Sequence, residues 1–159
     1  MFSTGVKQSL LGGAMRRMFI AVLLFNATAA IAGGSDYYYA KFSAKVADTG
    51  GGKVYVNTRQ EEPAEANYKP AVTQTNRSEK NVVQVAAYLY AMSEHGYYFV
   101  DWRNSSNLGT VYDTTAKGVV VSVTDASSSK NDEAKAVDGG TYVAFFAPVL
   151  VNSGTPASI

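Results

Sequence analysis

The sequence predicts a mostly β domain of about six or seven short strands, folded as a compact sandwich or a highly curved sheet. The first observation is an alternation of apolar and polar residues, which is typical of strands with one buried face. The second is a series of turn-forming clusters between these segments. The third is the lack of any long stretch with clear helical spacing.

The alternation is clearest at the start of the domain. The even positions there are apolar: Tyr38, Ala40, Phe42, Ala44 and Val46. The turn cluster 48–52 ends this strand, and 53–58 is predicted to return as the second arm of a hairpin. The polar segment 59–80 contains two prolines, which favours a long loop with one helical turn near 63–67.

The rest of the chain continues the pattern. The predicted strands are 81–92, buried on both faces, then 97–102, a weak one at 110–114, and those at 118–124 and 141–149. The predicted turns and loops are 93–96, 103–109 and the polar segment 125–140. Residues 33–150 therefore form one domain, followed by a flexible tail at 151–159.

Residues 1–32 have the features of a secretory signal peptide. Arg16 and Arg17 precede the short apolar run Met18–Phe25, and the small residues of 30–32 follow it. We expect cleavage between Ala32 and Gly33. The alternatives are a retained membrane anchor and, for the start of translation, Met15 instead of Met1. The protein is therefore predicted to be secreted or bound at the cell surface, with no membrane span after cleavage.

Charge and cysteine content narrow the choice of function. Residues 1–32 hold three of the 14 basic residues and no acidic one, so the remainder has 14 − 3 = 11 basic and 13 acidic groups, a net charge of −2. Such a balance does not favour binding to nucleic acid. The chain has no cysteine, so no disulfide supports the fold and no lipid-modified cysteine anchors it.

Four motifs occur in a characteristic order. They are Gly51-Gly52-Lys53-Val54-Tyr55-Val56, Val85-Ala86-Ala87-Tyr88-Leu89-Tyr90-Ala91, Gly96-Tyr97-Tyr98-Phe99-Val100-Asp101-Trp102 and Tyr142-Val143-Ala144-Phe145-Phe146. Together they resemble the divergent branch of the bacterial internalin B-repeat-like domains, with the pattern GG-x-V-x-V, V-x-L-x-A, G-Y-x-F-x-x-W and A-x-F. The residues that match the last two motifs are Gly96, Tyr97, Phe99, Trp102, Ala144 and Phe146.

This resemblance covers most of the chain beyond residue 36. It implies a β-grasp-like, β-rich domain that acts as an extracellular spacer or adhesion module without catalytic residues. The segments 59–80 and 125–140 are longer than the family pattern, and the chain contains one copy where the family usually has repeats.

The aromatic segment Glu94–Trp102 is expected to belong to the core. Tyr97 and Phe99 share one parity along a strand, whereas Trp102 has the other. Either the strand bulges near Asp101, or Trp102 packs on the opposite face. A binding platform formed by these aromatics is the alternative interpretation.

No catalytic or metal-binding pattern is evident, and no cofactor is predicted. The single histidine, His95, lies in a turn and has no cysteine partner in the chain. A pair of carboxylates from Glu94, Asp101 and Asp113 would be needed for a small secreted hydrolase, which is the alternative function. The acidic stretch with Asn131, Asp132, Glu133 and Asp138 lacks the spacing of a known calcium loop.

The three consecutive tyrosines 37–39 provide the candidate binding surface. Tyr38 belongs to the apolar face, so Tyr37 and Tyr39 are expected to point away from the core. Exposed tyrosines can stack on sugars or anchor a protein interface. The predicted function is an exported, non-enzymatic module for adhesion or spacing that contacts a surface protein or glycan. The sequence leaves the oligomeric state open, including assembly through an exposed edge strand.

Overall fold

A computed structural model describes residues 34–151, and it confirms the mostly β prediction with eight strands in two sheets. The strands are β1 (Tyr39–Val46), β2 (Gly52–Asn57), β3 (Ala71–Arg77), β4 (Val85–Ser93), β5 (Tyr97–Asn104), β6 (Asn107–Val111), β7 (Lys117–Val123) and β8 (Val137–Pro148). The helical segments of this part of the chain are three short 3-10 turns, Glu65–Asn67, Ser127–Ser129 and Glu133–Lys135.

The two sheets differ in size and direction. The larger has the order β3-β1-β8-β5-β6, and its β1 and β8 strands run parallel, whereas its other pairs are antiparallel. The smaller has the order β2-β4-β7 and is antiparallel throughout. Side chains from both sheets form one buried cluster. The architecture is therefore a small sandwich, the first of the two arrangements that the alternation pattern predicts.

The core follows the alternation in the sequence. On β1 the residues Ala40, Phe42 and Ala44 are fully buried, while the intervening positions face outward. Leu89 on β4 is buried against them from the other sheet, together with Val85, Ala87 and Ala91 of that strand. Trp102 is the largest side chain with no exposed surface. A core of this kind stabilises a chain that has no disulfide.

The predicted β1–β2 hairpin is wrong. The segment between these strands carries the chain from one sheet to the other, and β2 pairs with β4, with Val54 opposite Ala91. The glycines Gly50 and Gly51 have φ values of 70° and 94°, which an L side chain rarely adopts. They permit the change of direction. The predicted turn is therefore present, but the two strands that it joins do not pair with each other.

Three predicted loops contain strand residues. Segment 59–80 holds β3, although its predicted helical turn is present as Glu65–Asn67. Segment 103–109 includes the end of β5 and the first three residues of β6. Segment 125–140 includes the start of β8, which begins four residues before the predicted 141. Each of these stretches lacks a regular apolar alternation, because most of its inward-facing residues are polar or glycine, for example Asn76 and Gly139.

The position of Trp102 is explained by a β-bulge. The register of β5 against β8 shifts between Phe99 and Asp101, so Phe99 lies opposite Phe146 and Trp102 opposite Ala144. The bulge turns Phe99 and Trp102 toward the same core, where their ring centres lie 5.9 Å apart. Phe99 also meets Phe146 edge-on at 5.7 Å. Of the two sequence alternatives, the bulge is the one observed.

Tyr97 departs from the core prediction, since 37% of its surface is exposed. It lies before the bulge, at the start of β5, where its ring covers Gly51 so closely that a Cβ there would overlap it. The neighbouring Gly52 is likewise covered by the ring of Phe146. The paired glycines of the first motif thus receive aromatic rings from the third and the fourth.

Several predictions concern residues beyond the described range. The signal peptide 1–32, its cleavage site at Ala32 and Gly33, and tail residues 152–159 all lie outside residues 34–151. Within that range, no helix has the length and apolar character needed to cross a membrane. Val151, the last described residue, is 85% exposed.

Candidate functional site

The first described segment of the domain is held between two loops. Backbone groups of Asp36 bond to Asn81: the amide donates to Asn81 Oδ1 at 3.0 Å, and the carbonyl accepts from Asn81 N at 2.7 Å. Tyr37 makes the same pair of bonds with Asn131, at 2.8 and 2.7 Å. The two asparagines lie in the loops before β4 and before β8, so both polar loops fix the tyrosine segment.

The two asparagines adopt an unusual backbone conformation. Asn81 has a φ of 62° and Asn131 a φ of 51°, and asparagine tolerates this left-handed region better than most residues. In that conformation the side-chain oxygen and the backbone N–H both reach the segment. Ser78 binds Tyr38 in the same reciprocal way, with its Oγ and its N–H.

The hydrogen bonds by which Asn81, Ser78 and Asn131 hold residues 36–38 are called the clamp below. An ion pair adds to this clamp. The Lys130 ammonium lies 2.7 Å from Asp36 Oδ2, and Asn131 Nδ2 donates to Asp36 Oδ1 at 3.0 Å. The hydrogen bond from Lys130 lowers the pKa of the Asp36 carboxyl below its ordinary value, and the same contact raises the pKa of Lys130. Because both groups are at the surface, the pair fixes geometry more than it stabilises the fold.

Ser129 gives a test of this clamp. Its fully buried Oγ accepts from Tyr39 N at 2.8 Å and donates to Ala126 O at 2.7 Å. We expect Ser129→Ala to lower the free energy of unfolding by about 1–3 kcal/mol, because the part-buried N–H of Tyr39 loses this acceptor, whereas Ala126 O keeps its bond from Ser129 N. Urea denaturation measures this loss. Ser128→Ala, at an exposed neighbour, is the control, and an equal effect of both changes would contradict the assignment.

A cleft of about 520 Å³ opens beside the clamped segment. It is lined by Tyr37, Thr58, Arg59, Arg77, Ser78, Glu79 and Lys80. These residues come from the clamped segment, from the end of β2 and from the end of β3. The volume lies within the range of about 300–1,000 Å³ that is common for small-molecule sites.

Tyr37 and Arg77 contact each other in the cleft. The guanidinium carbon of Arg77 lies 4.1 Å from the centre of the Tyr37 ring, a cation–π contact. Tyr39 is the cross-strand neighbour of Arg77 in the β1–β3 ladder. Tyr37 and Tyr39 are both half-buried. The structure thus places Tyr37 in the cleft and Tyr39 next to it, and one face of the Tyr37 ring is already occupied.

The cleft has an excess of positive charge. It contains three cations, Arg59, Arg77 and Lys80, and one carboxylate, Glu79. Within residues 34–151, none of the three cations has a carboxylate at ion-pair distance, since the ion pairs there involve other residues. Residues 33–159 as a whole have a net charge of −2, whereas the cleft is locally positive. This local concentration of cations favours an anionic ligand.

The histidine and the candidate carboxylates lie elsewhere. His95 and Glu94 are exposed in the turn before β5. Asp101 is mostly buried, and both of its oxygens accept from Arg103, at 2.9 and 3.1 Å. Asp113 is exposed and accepts from Thr115 N at 2.9 Å. Two of the three carboxylates are thus engaged in local bonds, and none of them lines the cleft.

Two acidic residues of the stretch 131–138 also make local bonds. Asp132 accepts from Ala134 N at 3.1 Å and pairs with Lys135, while Asp138 accepts from Gly140 N at 2.8 Å. Across the part of the chain that the structure describes, no three side chains of the metal-binding types come together. Asn131, which begins this acidic stretch, belongs to the contacts that hold Tyr37.

The cations of the cleft were missed from the sequence. Arg59, Arg77 and Lys80 lie near the two ends of a segment read as a loop, and only the strand β3 brings the ends together. A usable signal was present, because Val72, Thr73 and Thr75 favour a strand. It was masked by the polar residues at the inward positions of the same segment.

A second, smaller hollow of about 290 Å³ lies at the opposite end of β1. Its floor includes Val143 and Phe145, and Lys45 and Leu108 stand at its margin. The guanidinium of Arg103 lies 4.1 Å from the centre of the Phe145 ring. This hollow is more apolar than the cleft.

The chain matches no protein-family model, no curated protein and no solved structure. The resemblance to the internalin B-repeat-like domains therefore stays a prediction from the four motifs.

Proposed function

We propose that this protein is an exported, non-enzymatic binding module that contacts a glycan at a cell surface or in a secreted matrix. The observation that carries the proposal is the cleft, in which Tyr37 stands beside three cations that have no carboxylate at ion-pair distance among residues 34–151. Such a site offers the phenol group of Tyr37 and several hydrogen-bond donors, and sugar hydroxyl groups can pair with both.

The rigidity of the segment supports the same function. Paired hydrogen bonds to Asn81, Ser78 and Asn131 hold residues 36–38. A contact residue fixed before binding loses less conformational entropy when the ligand arrives. The clamp involves both polar loops, and it gives segments 59–80 and 125–140 a role in shaping the contact surface.

Export is the second part of the proposal, and it rests on the features of residues 1–32. Amino-terminal sequencing of the protein recovered outside the cytoplasm tests it directly. Gly33 as the first residue is the expected result. Recovery of the intact amino terminus in the membrane fraction would support the retained anchor instead.

Binding is tested on a glycan array and on intact cells with the full chain. We expect the double variant Tyr37→Ala/Tyr39→Ala to lose binding, and Lys45→Ala to keep it. Lys45 is an exposed cation at the opposite end of the β1–β3 ladder, roughly 20 Å from Arg77. Equal loss in both variants, or no binding by the wild type, would contradict the proposal.

The same preparation tests the alternative of a carboxylate-based hydrolase. Release of reducing ends from a bound glycan, abolished by Glu94→Gln or Asp101→Asn, would establish an enzyme. We expect no release, because Asp101 is committed to Arg103.

A further inference from the structure

We propose that the ligand of the cleft is an acidic polysaccharide, bound through its carboxylate or sulfate groups. This inference rests on the proposed function and adds the chemical class of the glycan. It is carried by the arrangement of Arg59, Arg77 and Lys80, which stand around one cleft without a carboxylate partner among the described residues.

Arg77 is the residue best placed to recognise an anion. Its guanidinium is stacked on Tyr37, which leaves the edge of the planar group free to donate two parallel hydrogen bonds. A carboxylate or a sulfate presents two oxygens with matching spacing. The stacking also orients the side chain before the ligand arrives, although Arg77 is itself exposed.

The other lining groups fit a sugar better than a bare inorganic anion. Thr58 is exposed at the margin of the cleft, where its hydroxyl can both donate and accept. Tyr37 presents the edge of a half-buried ring whose face is taken by Arg77. Glu79 is an acceptor for sugar hydroxyls in the same cleft. A ligand that combines hydroxyl groups with spaced negative charges uses all of these contacts.

Charge distribution favours such a ligand over nucleic acid. Residues 33–159 have a net charge of −2, and the cleft concentrates three cations in one small region. A duplex with one charge per about 1.7 Å of axis requires an extended basic surface. A polysaccharide that has one charge per sugar or per disaccharide matches a compact site of three cations.

The test measures the affinity of the full chain for matched pairs of polymers by surface plasmon resonance. Dextran sulfate is compared with dextran, and polygalacturonate with its methyl ester, so that only the anionic groups differ. The first pair reports on sulfate and the second on carboxylate. A DNA duplex of similar charge is included, and each affinity is measured between 50 and 300 mM salt.

We expect one or both charged polymers to bind at least tenfold more tightly than the neutral partner. The affinity should fall with salt. Arg77→Gln should weaken binding by about tenfold or more, Arg77→Lys by less, and Lys45→Gln, an equal loss of charge elsewhere, by under twofold. Circular dichroism confirms that each variant is folded.

Three outcomes would overturn the inference. Equal binding of charged and neutral polymers, lost in the Tyr37→Ala/Tyr39→Ala variant, would leave a glycan-binding module that does not recognise charge. Binding of every polyanion, DNA included, with no effect of Arg77→Gln would show non-specific attraction only. No binding of any polymer, together with a negative glycan array, would remove both this inference and the proposed function.

Discussion

Replacing Trp102 by alanine is expected to lower the free energy of unfolding by about 3–5 kcal/mol. Trp102 has no exposed surface and packs against Phe99 at 5.9 Å. On β8, Ala144 lies opposite Trp102 and belongs to the same core cluster. Removal of the indole therefore leaves a cavity in this core. A domain of this size is stable by about 5–15 kcal/mol, so the loss is a large part of the total.

The measurement is urea denaturation followed by far-ultraviolet circular dichroism, because the variant lacks the only tryptophan. Tyr98→Ala is the matched control, since Tyr98 lies on the same strand with 53% of its surface exposed. We expect its effect to stay within about 0.5 kcal/mol. Similar losses for both variants would show that Trp102 does not pack in the core as described.

Trp102→Phe separates the effect of the ring contacts from the effect of the buried N–H donor. Trp102 Nε1 is buried and has no hydrogen-bond partner within the described residues, which costs free energy in the wild type. Phenylalanine removes this unpaired donor and retains most of the ring contacts. We therefore expect a much smaller loss of stability than in Trp102→Ala. Equal losses in the two variants would indicate that Nε1 has a partner after all.

The alternation of residues predicted the strands whose inward positions are apolar. On β1, β4 and β7 the inward residues are mainly Val, Ala, Leu and Phe, so the sequence alone located these strands. β3 was missed because two of its inward positions are occupied by Gln74 and Asn76. The start of β8 was missed because Gly139 makes room for the ring of Phe42, at 2.5 Å from where a Cβ would lie.

The alternation of apolar and polar residues does not determine which strands pair. The same glycine-rich turn fits a hairpin or a crossing between sheets, and only the packing of Val54 and Val56 against β4 selects the second. The candidate site shows the same limit. Tyr37 was identified from its neighbours in sequence, whereas Arg77 lies 40 residues away and reaches it only through the β1–β3 ladder.

The polar residue buried most deeply on β3 explains how the two sheets are joined. Asn76 is 1% exposed, and its Nδ2 donates to Ala86 O on β4 at 2.8 Å and to Asn57 O on β2 at 3.3 Å. It therefore links an edge strand of the larger sheet to two strands of the smaller one. Its Oδ1 has no partner among the described residues, so the side chain is retained at the expense of an unpaired acceptor.

Asn76→Asp should be strongly and pH-dependently destabilising. A carboxylate oxygen would replace the amide donor beside two carbonyl oxygens, and an uncompensated buried charge costs about 3–5 kcal/mol near pH 7. Burial and these carbonyls would raise the pKa of the new carboxyl above its unfolded value of about 3.9. Between the two pKa values the folded state holds one proton more, so stability relative to wild type falls as pH rises, by up to about 1.4 kcal/mol per pH unit.

Urea denaturation from pH 3.5 to 8, followed by the fluorescence of Trp102, tests this dependence. The stability of Asn76→Asp should approach that of the wild type at the acidic end, where the protonated carboxyl can donate to Ala86 O. Asn107→Asp introduces the same charge at an exposed position and should follow the wild type throughout. A parallel curve for Asn76→Asp would mean that water reaches this position and that the link between the sheets is not made by a buried amide.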